Sequence, residues 1–260
     1  MSGDEAFAVA AVAAERMADA VRPIVLSYYR GNVPTDEKAD LTPVTAADRD
    51  AETRIREMIE EAFPGHGILG EEHGSVRLDA ENVWVLDPID GTKSFITGKP
   101  LFGTLIALVH RGRPVVGIID APALDERWVG VEGKPTTLNG AAVNVRACPK
   151  LGGAWLYATA PEMFVGSDSA AFERLRDSCR GVVYGADCYA YGLLANGTVD
   201  LVCEASTKPY DYCALVPVVR GAGGVISDWG GQPLGIGSDG RVLAAGDAAA
   251  HAAALQILAG

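Results

Sequence analysis

The ten residues Val83-Trp84-Val85-Leu86-Asp87-Pro88-Ile89-Asp90-Gly91-Thr92 constrain this chain more than any other stretch. Val83 to Leu86 is wholly apolar and carries β-branched and aromatic residues, the composition of a buried strand. Pro88 has no N–H to offer a ladder, so the strand is expected to end at Asp87. Gly91 and Thr92 then permit a tight reversal, which would gather Asp87, Asp90, the Thr92 hydroxyl and free backbone N–H groups at one strand end. Carboxylates that close repel each other unless a cation sits between them. Hard oxygen donors at this density suit Mg²⁺, which is held by carboxylates together with substrate phosphate. Asp-Gly after a strand is also ordinary turn chemistry, and from this stretch alone a plain turn and a metal site are both open. An EF-hand is excluded, because its ligands lie two apart and its twelfth position is Glu, which here is Gly98. An aspartyl-phosphate phosphatase would have one residue between its two acids, not two.

Composition narrows the function. The 260 residues, 48% of them hydrophobic, are enough for a substantial core in one catalytic unit over 1–260, built of two closely packed lobes at about 1–140 and 141–260. A net charge of −12 opposes nonspecific nucleic-acid binding, and a chain this acidic needs a metal to handle phosphate. The cysteines, Cys148, Cys179, Cys188, Cys203 and Cys213, are odd in number and contain no Cys-x-x-Cys pair, which fits reduced thiols in a cytoplasmic protein. The Ala-rich start is broken by Glu15, Arg16 and Asp19, so neither an export signal nor a membrane span is expected. His66, His73, His110 and His251 are scattered, against a histidine nucleophile or a His-rich metal site.

Along the chain, Phe7, Ala11, Ala14, Met17, Val21, Ile24 and Val25 recur at helical intervals and predict a long amphipathic helix over about 4–29, packed on a sheet. Thr45 is placed to N-cap a second helix from Ala46 to about Phe63, stopped by Pro64-Gly65; Asp48 falls in its first turn, where an acid is also favoured by the helix dipole alone. Thr104–His110 and Val115–Asp120 read as a hairpin, Glu126–Val131 as a further strand, and Pro135–Gly140 as a loop. The second half alternates strands at 154–158, 181–184, 200–204, 226–229 and 242–245 with helices at 169–179, after Gly185, at 210–220 despite Pro217, and at 248–258. Asp187 stands near the start of the helix after Gly185, where a cap is one reading. The expectation is a layered α/β protein.

Taken in order, Asp40-Leu-Thr-Pro-Val-Thr-Ala-Ala-Asp48, Gly70-Glu71-Glu72, Asp87-Pro-Ile-Asp-Gly-Thr92, Tyr210-Asp211 and Gly221-Ala-Gly-Gly224 resemble the inositol monophosphatase superfamily of metal-dependent, lithium-sensitive sugar-phosphate phosphatases. The resemblance covers essentially the whole chain. It implies an αβαβα sandwich, a homodimer, and Mg²⁺ as cofactor at two to three ions per site. It also implies Glu71, Asp87 and the Ile89 carbonyl as ligands of one ion, Asp87, Asp90 and Asp211 as ligands of a second, and Glu71 with waters at a third. Asp48 and Thr92 match the pair that orients and deprotonates the attacking water. Tyr210 stands where the family often has Trp.

For the substrate, a small-molecule phosphate monoester, the resemblance puts Gly91, Thr92, Gly185 and Asp211 along the binding site. It aligns Glu204 with an acid that contacts the non-phosphate part. Asp187 occupies a position that is small and uncharged in typical inositol monophosphatases. Two carboxylates facing the leaving group suit a cation, and 92–100 with 185–191 looks like the histidinol-phosphate phosphatase branch, implying hydrolysis of L-histidinol phosphate to L-histidinol in histidine biosynthesis. The alternatives are an inositol or related sugar monophosphatase and, outside enzymes, a protein partner in a transcription complex. No nucleic acid and no membrane are expected as partners.

Overall fold

The computed structural model describes residues 3–31, 35–37 and 43–260. The Asp40-Leu-Thr42 part of the 40–48 motif lies outside the described residues, as does the side chain of Thr45, the expected cap. Chain order in the first half is α1 (Gly3–Tyr28), β1 (Thr35–Glu37), β2 (Pro43–Thr45), α2 (Ala46–Ala62), β3 (Gly67–Gly70), β4 (Ser75–Val76), β5 (Asn82–Asp90), α3 (Thr92–Ile96), β6 (Gly103–His110), β7 (Arg113–Ala121), β8 (Glu126–Val131), β9 (Thr137–Leu138) and β10 (Ala141–Ala142). The second half continues with β11 (Trp155–Ala158), α4 (Ser167–Ser178), β12 (Gly181–Tyr184), α5 (Tyr189–Ala195), β13 (Leu201–Glu204), α6 (Pro209–Tyr212), α7 (Leu215–Gly221), β14 (Val225–Ser227), β15 (Val242–Ala245) and α8 (Ala248–Ala259).

Strand alternation sorts the apolar residues into separate cores. In β5, Trp84 and Leu86 face α1 and α2, while Val83 and Val85 face the other way, onto α5 and α7. In β13 and β15, Val202, Val242 and Ala244 join that same central core, while Leu201, Cys203, Leu243 and Ala245 face α4 and α8. The layers therefore run α1/α2, an eight-stranded sheet, α5/α7, a five-stranded sheet, α4/α8, the expected αβαβα sandwich. Strand orders are β10-β9-β8-β7-β6-β5-β3-β4 and β12-β11-β13-β15-β14. Both sheets are mixed, with β3/β5 parallel in the first and β11/β12 and β11/β13 parallel in the second. Trp84, fully buried, gives its indole N–H to His66 Nδ1 at 3.1 Å, so its polar edge is satisfied and truncation to Ala would cost about 3–5 kcal/mol.

Three expectations need correction. The strand does not end at Asp87: β5 runs on to Asp90, because a bulge between Asp87 and Asp90 takes Pro88 out of the ladder and pairing resumes at Asp90–Gly103. The Pro88 carbonyl is met instead by the Thr104 hydroxyl at 2.8 Å. The single helix expected at 210–220 is two, α6 and α7, since Pro217 cannot donate to the Cys213 carbonyl four residues back. The expected loop 135–140 contains β9, too short for any periodicity to announce.

Proximity of α7 to the sheet has a sequence cause. A Cβ on Gly117 of β7 would overlap the Ala214 carbonyl, and one on Gly130 of β8 would overlap the backbone at Pro217. Two glycines thus let α7 lie directly on the strands.

Candidate active site

Parallel pairing of β3 with β5 brings their carboxyl ends side by side, with Gly70 opposite Leu86. Glu71, the next residue, donates its N–H to the Leu86 carbonyl at 3.2 Å and so arrives beside Asp87. Asp90 closes the bulge, and α6 brings Asp211 in from the second half. One oxygen each from Asp87, Asp90 and Asp211 all lie within 4.8 Å of one another. Asp48, buried in the first turn of α2, adds a charge that Asp87 feels.

Electrostatics at this cluster are unfavourable without a cation. Burial first, then the charges of Glu71, Asp90, Asp211 and Asp48, push the Asp87 carboxyl far above the usual range. Burial, then Asp187 and Asp211, do the same to Asp90, although the Cys188 N–H donates to Asp90 Oδ2 at 2.6 Å. Asp211 is lifted by burial to about 7, against the pull of the Lys208 N–H on its Oδ2 at 2.6 Å. Among the described residues Asp87, Asp90 and Asp211 have no ion-pair partner, and Asp87 Oδ1 is buried with no hydrogen-bond donor. An orphaned anionic oxygen inside a set of hard oxygen donors fits a divalent cation.

The turn after the cluster is built on Gly91, whose φ of +83° suits glycine, and the Thr92 hydroxyl donates to the Ile89 carbonyl at 3.1 Å. Behind Gly91 packs Asp187: a Cβ on Gly91 would stand 3.2 Å from its Oδ2 and 3.1 Å from the Leu101 carbonyl.

Asp187 is not a helix cap. Helix α5 starts two residues later with Cys188 at its N-cap position and no side-chain cap bond, and Asp187 itself has φ +47°. Its Oδ2 instead accepts the Ser94 hydroxyl at 3.3 Å. Burial raises its carboxyl, while Ser94, Lys99 and Lys93 oppose that. Lys99 donates to the carbonyl of Gly185, whose φ of +81° and lack of a Cβ leave room for the ammonium. Glu204, at the end of β13, is not solvated: it is buried, receives Thr159 Oγ1 at 2.5 Å and Tyr191 OH at 2.8 Å, and is lifted by burial to about 7.

Asp90, Thr159, Asp187, Tyr191, Glu204 and Asp211 line one cavity. Of the sequence-predicted residues, Asp90, Asp187, Glu204 and Asp211 thus meet in this cavity, and Asp87 lies beside Asp90 and Asp211 in the acidic cluster, where the charge of Glu71 also acts. Ser94, Thr159 and Tyr191 were not named as site residues, although Ser94 and Tyr191 fall in the stretches 92–100 and 185–191 that carried the resemblance, and Thr159 had no signal.

Comparison with known proteins follows the same line. The model of the inositol monophosphatase family matches residues 6–259. The bifunctional phosphatase IMPL2, chloroplastic, of Arabidopsis thaliana is 48% identical over 251 residues, 93% of this chain and 72% of that protein. A histidinol-phosphatase of Chlorobaculum parvum is 36% identical over 231 residues, 88% of this chain and 89% of its own length. Among solved structures, an inositol monophosphatase from Zymomonas mobilis superposes with TM-score 0.90 at 46% identity, covering 98% of this chain and 99% of that one. With a matching model over nearly its full length, the same two-sheet architecture and an acidic cluster where a divalent ion fits, this chain belongs to the inositol monophosphatase family and is a phosphatase of that family.

Proposed function

We propose that the protein, acting as one catalytic unit over residues 1–260, hydrolyses L-histidinol phosphate to L-histidinol and inorganic phosphate with Mg²⁺, as a cytoplasmic homodimer. The observation that carries the substrate is the placing of two carboxylates, the half-buried Asp187 and the buried Glu204, in the cavity that also holds Asp90 and Asp211. A leaving group bearing an ammonium and an imidazole pairs with both; a neutral polyol pairs with neither. Relatives named histidinol-phosphatase, at 36% and 37% identity, support the reading.

Glu71, Asp87 and the Ile89 carbonyl would hold one Mg²⁺, and Asp87, Asp90 and Asp211 a second, with Glu71 and waters at a weaker third. When bound, the metal supplies Lewis acidity, which withdraws charge from the phosphate, acidifies water and stabilises the leaving alkoxide. The protein's own groups do the rest. Thr92, its hydroxyl hydrogen committed to the Ile89 carbonyl, presents lone pairs that orient a water by accepting from it. Asp48, buried at the start of α2, takes that water's proton as its oxygen attacks phosphorus. The Gly91 and Thr92 N–H groups donate to the phosphate oxygens, and the P–O ester bond breaks in line as the leaving oxygen takes up a proton. Asp187, with Ser94 on one oxygen, and Glu204, clamped by Thr159 and Tyr191, are fixed before the cation arrives, so little side-chain entropy is lost on binding.

Phosphate release measured side by side from histidinol phosphate and inositol 1-phosphate tests the reading. The expected result is a higher kcat/KM for histidinol phosphate, activity lost to chelator and restored by Mg²⁺, and inhibition by Li⁺. Preference for inositol 1-phosphate would replace the substrate with a polyol phosphate. Hydrolysis undiminished by chelator would overturn the metal mechanism, and no hydrolysis of either ester would favour a partner role in a protein complex.

A further inference from the structure

Glu71 sits on a five-residue turn, Gly70 to Gly74, closed by the Gly70 N–H on the Gly74 carbonyl at 3.0 Å. What holds this turn in place is a buried carboxylate from another element. Glu52, fully buried on α2, accepts the Glu72 N–H on Oε2 at 2.7 Å and the His73 N–H on Oε1 at 3.2 Å. Arg56, one helical turn on, donates Nε to the same Oε1 at 2.7 Å and reaches the Gly74 carbonyl with its Nη2. The His73 ring adds a second attachment, its Nε2 lying 3.2 Å from the Arg49 carbonyl and 3.1 Å from the Thr53 hydroxyl of α2. Gly70 has no positive φ; it is glycine because the Glu52 carboxylate passes over its Cα, where a Cβ would overlap Oε1.

A buried carboxylate must be paired and hydrogen-bonded, and Glu52 meets that requirement entirely with the turn and Arg56. Glu52 also lies four residues after Asp48, on the same face of α2. One helix face therefore carries the water-activating acid and, one turn later, the group that grips the residues next to Glu71.

We infer that Glu52 is the positioning residue for Glu71, setting the distance of that ligand from Asp87 and Asp48 and so the affinity of the site for Mg²⁺. The inference rests on the reading of Glu71 as a metal ligand. Glu52 belongs neither to the lining of the cavity nor to the Asp87, Asp90 and Asp211 cluster. Its carboxylate accepts from the three N–H groups named, and a Gln amide, which carries one acceptor oxygen and a donor NH₂, cannot satisfy all three. The turn would loosen without any change in the ligands themselves. Partners that orient a metal's ligands contribute about 10–100-fold in metal affinity or activity.

The test is Mg²⁺ binding to the full-length, metal-free protein by titration calorimetry, for wild type, Glu52→Gln and Glu71→Gln, together with kcat against Mg²⁺ concentration. Glu52→Gln is expected to weaken Mg²⁺ binding by about 10–100-fold, with kcat recovering as Mg²⁺ is raised. Glu71→Gln should weaken binding without such recovery. A merely structural Glu52 would lower the melting temperature and leave Mg²⁺ affinity at low temperature unchanged. A folded Glu52→Gln protein that binds Mg²⁺ like wild type, when Glu71→Gln does not, overturns the positioning role and leaves the metal assignment standing. Wild-type affinity in Glu71→Gln overturns both. If Glu52→Gln does not fold, amide hydrogen exchange in the wild type decides: slow exchange at Glu72 and His73 supports the grip, and exchange at open-loop rates refutes it.

Discussion

Replacing Asp211 by Asn removes one charge from the acidic cluster and keeps the acceptor oxygen for the Lys208 N–H. In the metal-free protein Asp211 titrates at about 7, lifted chiefly by burial, against 3.8 for the free side chain. Between those values the folded state keeps a proton that the unfolded state has lost, so stability is full below about pH 4 and falls as pH rises through about 7. Three pKa units correspond to about 4 kcal/mol of stability lost over that window. The geometry gives the same order: two unit charges 4.8 Å apart repel by about 3.5 kcal/mol at an effective dielectric of 20. Asp87 and Asp90, also raised, act in the same direction. Asp200, held low by Arg146 despite its burial, acts in the opposite direction only below the ordinary carboxylate range, outside this window. His66 and His251, whose imidazoles burial lowers from 6.5, oppose the trend inside it but with smaller shifts than those of Asp87 and Asp90. The assay is urea unfolding in chelator from about pH 5 to about pH 8, with and without added Mg²⁺. Wild type should lose stability as pH rises, Asp211→Asn should lose less and be the more stable near pH 8, and Mg²⁺ should rescue wild type most at the high end. Metal-free stability that is flat or rising over this range, or an Asn variant no more stable than wild type near pH 8, would refute the reasoning.

Asp90→Asn should abolish turnover while leaving the far-ultraviolet spectrum unchanged, because the amide keeps the Cys188 N–H bond but loses the charge a divalent ion requires; steady-state phosphate release at moderate Mg²⁺ checks it, and near-normal hydrolysis would remove Asp90 from the ligand set. Gly117→Ala should destabilise the protein by about 2 kcal/mol or more, since the new methyl must displace the Ala214 backbone and with it α7; a melting temperature equal to wild type would mean the helix yields freely.

Long strands and their turns were legible because their signals are local. Gly103–His110 and Arg113–Ala121 carry apolar runs around Arg111 and Gly112, both at positive φ, so the hairpin is announced within a few residues. The boundaries at Pro88 and Pro217 were misread in opposite directions, because whether a missing N–H ends an element depends on what surrounds it. A bulge carried β5 past Pro88, whereas the donor missing at Pro217 divides the expected helix into α6 and α7. The acids of the candidate site were legible as a resemblance because they come in short ordered motifs. The residues that hold them were not, since Ser94 meets Asp187 across 93 positions and the Cys188 N–H meets Asp90 across 98. Glu52 did leave a trace, since with Asp48 it shares the face of α2 that buries Ile55 and Ile59, and a carboxylate on an apolar stripe signals a buried partner.

The proposed selectivity for a cationic leaving group would rest on Asp187, and the ratio of kcat/KM for histidinol phosphate over inositol 1-phosphate, in wild type and in Asp187→Ala, tests it most directly. Truncating one partner of a buried charge pair costs about 2–5 kcal/mol, whereas a neutral polyol loses no pair and is relieved of one repulsive charge. The ratio should exceed one in wild type and fall by more than about tenfold in the variant. A wild-type ratio below one, or a ratio that does not move on mutation, would contradict the account.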